Sequence, residues 1–348
     1  MSQTLSDTLL ERCANERTGP VALHLREELL PVEGRGAPFY PPTFAGDAKY
    51  NIDELADGTK VALIDSVGSQ ANRLEPLFSD EPTRKLVPQI DITYGDAKDG
   101  TDGVTSILEA GHRLGDAIVR CTELADEAQR AFRSLERGDA GPMARLAPTS
   151  LVFGAWDSRD TAVKVPRILQ SVIRAWGVSR LSRSAVFVPA IEYAALGIIE
   201  EEEKLKKEQK DFLAQRGFLH VPSSDPGGII ADGPIRRDLT VNLIALRRLS
   251  GDPAETIRRY LLGLALVAAV EPPDPFLRAG CLLVPDTEAP AVWSLVERDG
   301  SRTELSIDVD AIRAYASRAA GELGIAADRR VAFDMKRAKA DMAKGKKK

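Results

Sequence analysis

The chain has 348 residues, 43% hydrophobic and 28% charged, with a formal net charge of −5. That length serves two ordinary domains, or one domain with large insertions, and the composition is that of a globular protein rather than a disordered one. The acidic balance excludes a histone-like polycation, so any contact with nucleic acid has to use a local basic surface.

From the N-terminus, an amphipathic helix is expected over about Ser2 to Ala14, with Leu5, Leu9 and Leu10 on one face. "PVALHLREELLPVEG" alternates Val21, Leu23 and Leu25 with polar residues and reads as a half-buried strand ending near Gly34. A Gly/Pro loop follows, and "KVALIDSV", Lys60 to Val67, is a second strand. "DSVGSQANRLEP" then opens a helix in which Ser66 or Ser69 can cap exposed amides. Ser69 and Arg73 lie one turn apart on the same face, so the same stretch has the makings of a phosphate cradle. The helix start and the cradle are both open readings of these residues.

An Asp/Gly-rich loop leads to "TSILEAGHR" and a helix over "DEAQRAFRSLERG". "APTSLVFGAW" reads as a strand, and "KVPRILQSVIRAW" as a helix with Pro166 at its start and Ile168, Leu169, Val172, Ile173 and Trp176 on its apolar face. "SAVFVPAIE" is a further strand, and "GIIEEEEKLKKEQKDFLAQRG" an acid-then-base helix. "SSDPGG" and "ADGPIRR" frame a loop before helices at about Arg237 to Leu249 and Pro253 to Val270. Asp299-Gly300 between two alternating runs signals a hairpin, and a helix near Asp310 to Glu322 closes the folded part. These elements mix without a βαβ repeat. With no GxGxxG after a strand and no P-loop motif, an α+β fold is expected.

Cys13, Cys121 and Cys281 are scattered and odd in number, which fits a reducing compartment and neither a disulfide framework nor a zinc site. No signal peptide opens the chain, and the apolar run Leu261–Val270 is half a membrane span, so a cytoplasmic protein is expected. From Arg159 to Ser184 there are six Lys/Arg and one acid, Asp160. Arg167, Arg174, Arg180 and Arg183 in this stretch suit an RNA backbone, or simply a solvated basic face. Glu109 and His112 have the i, i+3 spacing of a di-iron ligand pair, but no second such motif exists, so His112 reads as a structural or ligand-facing polar residue. With no nucleophile elbow and no placed triad, nothing beyond length supports an enzyme. Neither a metal nor a cofactor is expected.

Taken in order, "DSVGSQANRLEP", "TSILEAGHR", "PTSLVFGAWDSR", "SRLSRSAVFVPAIEY" and "LTVNLIALRRLSGDPAETIRRYLLGLALVA" resemble the backbone RAMP subunit of type I-U (I-G) CRISPR effector complexes. The resemblance covers about residues 20 to 320. It implies a modified RNA-recognition-motif palm, ferredoxin-like, with long finger and thumb-like insertions. The expected layout is one domain over 1–330, insertions at about 95–145 and 196–235, and a basic, unstructured tail over 331–348. Copies of such a subunit line up along CRISPR RNA and present it for pairing with target DNA. The partners implied are the guide, the target, further copies of the chain, an RNA-end-capping subunit, a large subunit and a recruited helicase-nuclease, with no membrane. The resemblance tips the stretch at Ser69, Gln70 and Arg73 toward gripping RNA, with Asn72 in the same run. The expected RNA-binding set is completed by Ser106, His112, Arg113, Arg167, Arg180, Ser182 and Arg183. No catalytic residue is expected. The competing reading is an RNA nuclease like type III backbone subunits, using a loop aspartate such as Asp47, Asp96, Asp99 or Asp102.

Overall fold

Period-two alternation shapes the central sheet. In the strand Ile235–Asn242, residues 235, 237, 239 and 241 are buried and those between them are half-exposed. The computed structural model describes residues 2–45, 49–158 and 160–344. The main strands are β1 (Ala22–Pro31), β2 (Lys60–Asp65), β3 (Leu169–Trp176), β4 (Val178–Phe187), β5 (Val221–Ala231), β6 (Ile235–Asn242), β7 (Cys281–Pro285), β8 (Val292–Val296) and β9 (Arg302–Ser306). The main helices are α1 (Asp7–Asn15), α2 (Val67–Leu74), α3 (Ala125–Glu136), α4 (Ala254–Val270), α5 (Val309–Leu323) and α6 (Met335–Lys344).

The sheet runs β9-β8-β1-β6-β3-β2, and each of these neighbours is antiparallel. Between β1 and β3 the chain passes through a helical layer and skips the place later taken by β6. Between β6 and β8 it passes through α4 and skips β1. Two interleaved crossovers of this kind are the βαββαβ plan of the ferredoxin-like, RNA-recognition-motif fold. The protein is therefore α+β with an RNA-recognition-motif-like palm, as the resemblance implies.

The odd-numbered face of β1, β6 and β3 carries Leu23, Leu25, Leu239, Val241 and Leu169 against the helices. From Tyr260 onward helix α4 is apolar all round because it is enclosed, with Leu261 to Ala268 fully buried. A Cβ at Gly263 would lie 2.9 Å from Ala316 Cα, so glycine lets α4 and α5 come together closely. Cys13, Cys121 and Cys281 are buried free thiols, and burial pushes Cys13 and Cys281 up to about 12.

Several expected elements take another form. "KVPRILQSVIRAW" is not a helix: Leu169–Trp176 is a central strand, hydrogen-bonded to β6 on one side and β2 on the other. Its odd positions are buried and on the other face only Val172 is, so the adjacent Val172 and Ile173 blur the alternation and leave a pattern that also fits a helix. Arg237 to Asn242 likewise belongs to β6, and the helix starts only at Leu243, where the Asn242 side chain caps it. "APTSLVFGAW" forms a short helix over Thr149–Val152 before a two-residue strand at Ala155–Trp156. "SSDPGG" lies within β5, not in a loop. The acid-then-base helix is cut to Lys207–Gln215.

The excursion between β3 and β6 is a hairpin, β4 and β5, that begins one residue after β3 at Gly177 (φ +63°). A side chain there would be strained, and its Cβ would meet Gly233 N at 3.1 Å. Ten residues of β4 carry the hairpin about 33 Å at the rise of an extended strand. The C-terminal tail is not featureless over its described part: Met335–Lys344 is helical, and Asp334 accepts from Lys336 N and Arg337 N at its start. Among the described residues no helix is long and apolar enough to cross a membrane.

Candidate nucleic-acid interface

Helix α2 follows β2 directly, and its cap is Ser66, whose Oγ accepts from Ser69 N at 3.2 Å. The Ser69 hydroxyl is thereby left out of the cap and half-exposed. Gln70 is buried: its Nε2 donates to Asp65 Oδ2 at 2.7 Å, and its Oε1 accepts from Ser171 Oγ at 2.6 Å. Arg73 is also held within the protein. Its Nε lies 3.2 Å from Asp65 Oδ2, and its two terminal nitrogens donate to the carbonyls of Phe276 and Leu277 at 3.2 and 2.8 Å. Both side chains are thus tied to partners inside the chain, and they hold α2 against β2, β3 and the segment at Phe276 and Leu277.

Arg113 is buried as well, at a positive φ of 54°. Its guanidinium meets Glu75 Oε2 at 2.6 Å, Gly154 O at 3.0 Å and Asn72 Oδ1 at 3.2 Å, and stacks over Phe153. Burial pushes Glu75 up to about 7 against the pull of Arg113. Burial also lowers Arg113, and the neighbouring Arg167 acts in the same direction. Arg113 is thus a brace that pins Asn72, rather than a free cation.

Around this brace the separate motifs meet. A Cβ at Gly68 would lie 3.9 Å from Arg167 Nη2, and one at Gly111 would lie 3.9 Å from Asn72 Nδ2. Arg167 has no acidic partner among the described residues, and its buried Nε has no hydrogen-bond partner there. Arg167 therefore brings an uncompensated charge to the positive end of α2. His112 is exposed beside Arg113.

Ser106 and His112 do not sit on one α-helix. Ser106 caps a 3₁₀ turn at Ile107–Glu109, with Glu109 reaching back to Ser106 N, and His112 precedes a second such turn. Glu109 and His112 therefore lack the shared helical face that a di-iron pair requires. Arg180, Ser182 and Arg183 lie exposed on β4. The register shift next to them falls on β5, so β4 keeps its alternation: Arg180 and Ser182 share one side and Arg183 takes the other. Arg180 lies over the Tyr50 ring at 5.9 Å.

Sequence reasoning did not single out Glu75, Asp65 or Ser171, the buried partners that orient this site. A carboxylate after the polar turn was the only signal. Asp96 and Asp99 close an exposed turn, accepting from Lys98 N and from Thr101 respectively. Asp47 and Arg159 lie outside the described residues. Among the described residues no group of three or more His, Cys, Asp or Glu is placed to hold a metal ion.

Residues 23–180 match the family described as "CRISPR-associated protein GSU0053", a stretch that contains α2, the brace and Arg167. Over that stretch the chain is similar to this CRISPR-associated family. The resemblance drawn from its motifs holds at that level. A chain of a solved "CRISPR RNA-guided surveillance complex, pre-nicking" is similar at 15% identity and a TM-score of 0.38, covering 87% of this chain and 85% of that one. No significant match is found among curated proteins.

Proposed function

We propose that the protein is a noncatalytic, RNA-gripping backbone subunit of a Cascade-like CRISPR effector complex. The observation that carries this reading is the meeting of α2, the His112-Arg113 turn and Arg167 at one place. Three stretches far apart in sequence there present an unpaired guanidinium, free helix amides and exposed polar side chains to a single anion. Such contacts hold phosphate and carry no base information, which suits a subunit that leaves sequence reading to the guide. The β4–β5 hairpin is the thumb-like insertion in this reading, with Arg180 and Arg183 along it. Copies of the chain repeat these contacts along CRISPR RNA, so modest single-copy affinity becomes firm assembly. The guide then pairs with target DNA, with end-capping and large subunits beside the filament and cutting left to a separate helicase-nuclease in the cytoplasm.

Co-expression with a repeat-spacer transcript and the partner subunits tests this. A large particle absorbing strongly at nucleic-acid wavelengths is expected, and free monomer beside intact RNA would overturn the reading. Guide and complementary RNA are expected to survive incubation of the particle with a divalent metal. Cleavage at regular intervals, lost on Asp99→Ala, would place the protein with the nucleases instead.

A further inference from the structure

Away from α2, five arginines converge on one cleft. Arg17, Arg247, Arg248, Arg258 and Arg298 line a cavity of about 510 Å³ beside Asn15, and no acid among the described residues lines it. The cleft lies at the end of the sheet where α1 leads into β1, the helix after β6 begins, and the β8–β9 hairpin turns. It is on the β1 side of β6, whereas Arg167 precedes β3 on the other side.

The arginines are held mainly by backbone carbonyls and form no salt bridge among the described residues; Glu11, whose charge reaches Arg258, is bonded to Arg259 at 2.7 Å. Arg247 donates to the carbonyls of Cys13, Gly19 and Pro20. Arg298 donates to Thr18 O at 3.1 Å and Arg17 O at 2.7 Å, and Arg258 to Leu249 O at 3.2 Å and Asn15 Oδ1 at 2.8 Å. Each of these forks keeps further N–H donors unused. The side chains of Arg17 and Arg248 are exposed, with no partner among the described residues. Glu16, whose charge reaches Arg247, is paired with Arg12 at 3.1 Å. Five like charges in one hollow repel one another unless an anion completes the site, and pre-oriented guanidinium forks match phosphate oxygens.

We propose that this cleft is a second nucleic-acid site that binds the phosphodiester backbone of a single strand, independently of the contacts at α2. An open hollow with several fixed forks suits a chain of evenly spaced phosphates passing through it. A carboxylate-bearing protein segment is the competing occupant. The strand has two sources, guide RNA or unpaired DNA, and the experiment separates them.

The test uses the purified full chain, with fluorescent single-stranded RNA and single-stranded DNA of about twenty nucleotides titrated at several salt concentrations. Four variants are compared: R17E/R248E, R17Q/R248Q, Arg167→Ala, and R133E/R137E. The last reverses two exposed arginines at and just beyond the end of α3. R17E/R248E is expected to weaken binding of at least one probe about tenfold and to lower its salt slope by about 1.4, two contacts' worth for a single strand. R133E/R137E makes the same change in net charge and is expected to shift affinity less than about threefold. A larger loss on RNA names the guide, and a larger loss on DNA names the target. R17Q/R248Q repeats the measurement without charge reversal, and circular dichroism checks the fold. If R17E/R248E binds both probes no worse than the control pair, the inference is overturned. Loss of self-association in sedimentation with unchanged nucleic-acid affinity overturns it in favour of the protein segment. Loss with Arg167→Ala alone removes the cleft and leaves the α2 contacts standing, and loss with R17E/R248E alone does the reverse.

Discussion

Ser171 on β3 and Gln70 on α2 are joined by a hydrogen bond of 2.6 Å, and Gln70 passes the link on to Asp65 at 2.7 Å. All three are buried, so the first turn of α2 is bolted to the body of the sheet by polar groups that have no water to fall back on. Gln70→Ala orphans the Ser171 hydroxyl and leaves Asp65 Oδ2 with Arg73 alone. A loss of about 1–3 kcal/mol in urea unfolding is expected, the cost of one buried unpaired group. The salt slope of RNA binding should stay where it was while the variant remains folded.

Arg73 and Arg167 are expected to separate cleanly. Arg73→Ala breaks an ion pair and two carbonyl contacts within the chain, so stability falls by about 1–3 kcal/mol and the salt slope does not move. Arg167→Ala removes an unpaired cation, so the slope on single-stranded RNA falls by about 0.7 while stability changes by less than about 0.5 kcal/mol. Thermal melting beside RNA titration reads both. A salt slope altered by Arg73→Ala would keep that residue in the RNA-contacting set.

The two serines at the start of α2 divide their duties in the same way. Ser66→Ala removes the cap and is expected to cost about 1 kcal/mol. Ser69→Ala leaves the cap in place, so its melting temperature should match the parent while RNA affinity drops. The two variants exchanging these phenotypes would show that Ser69, not Ser66, holds the helix end.

Glu75 gives the site a pH signature. Burial raises its folded-state value to about 7 from the ordinary 4.5. Between those values the folded chain holds the proton more tightly than the unfolded chain, so this group's contribution to stability declines as pH rises. It is fully favourable below about 4.5 and level above about 7. Glu75→Gln removes the titration, so the parent's melting temperature is expected to fall relative to the variant's from pH 5 to pH 7. Parallel melting curves across that window would show that Glu75 stays ionised beside Arg113.

Much of the architecture was legible in local pattern. The alternation of Val21, Leu23 and Leu25, the apolar run into Val270 and the Asp299-Gly300 turn each state a local preference that tertiary contacts then kept. The stretch from Leu169 to Trp176 failed as a helix because Val172, buried on the face opposite to Ile173, hides the period-two signature of a central strand. The polar turn after β2 and the arginines near 167 could be identified by residue type alone. Their roles could not, since Arg73, Arg113 and Arg167 have the same side chain and only its partners differ. Asp65 and two carbonyls near residue 276 occupy Arg73, Glu75 occupies Arg113, and Arg167 meets no acid among the described residues. Those partners come from elements distant in sequence, so charge type was a property of the chain and free charge a property of the fold.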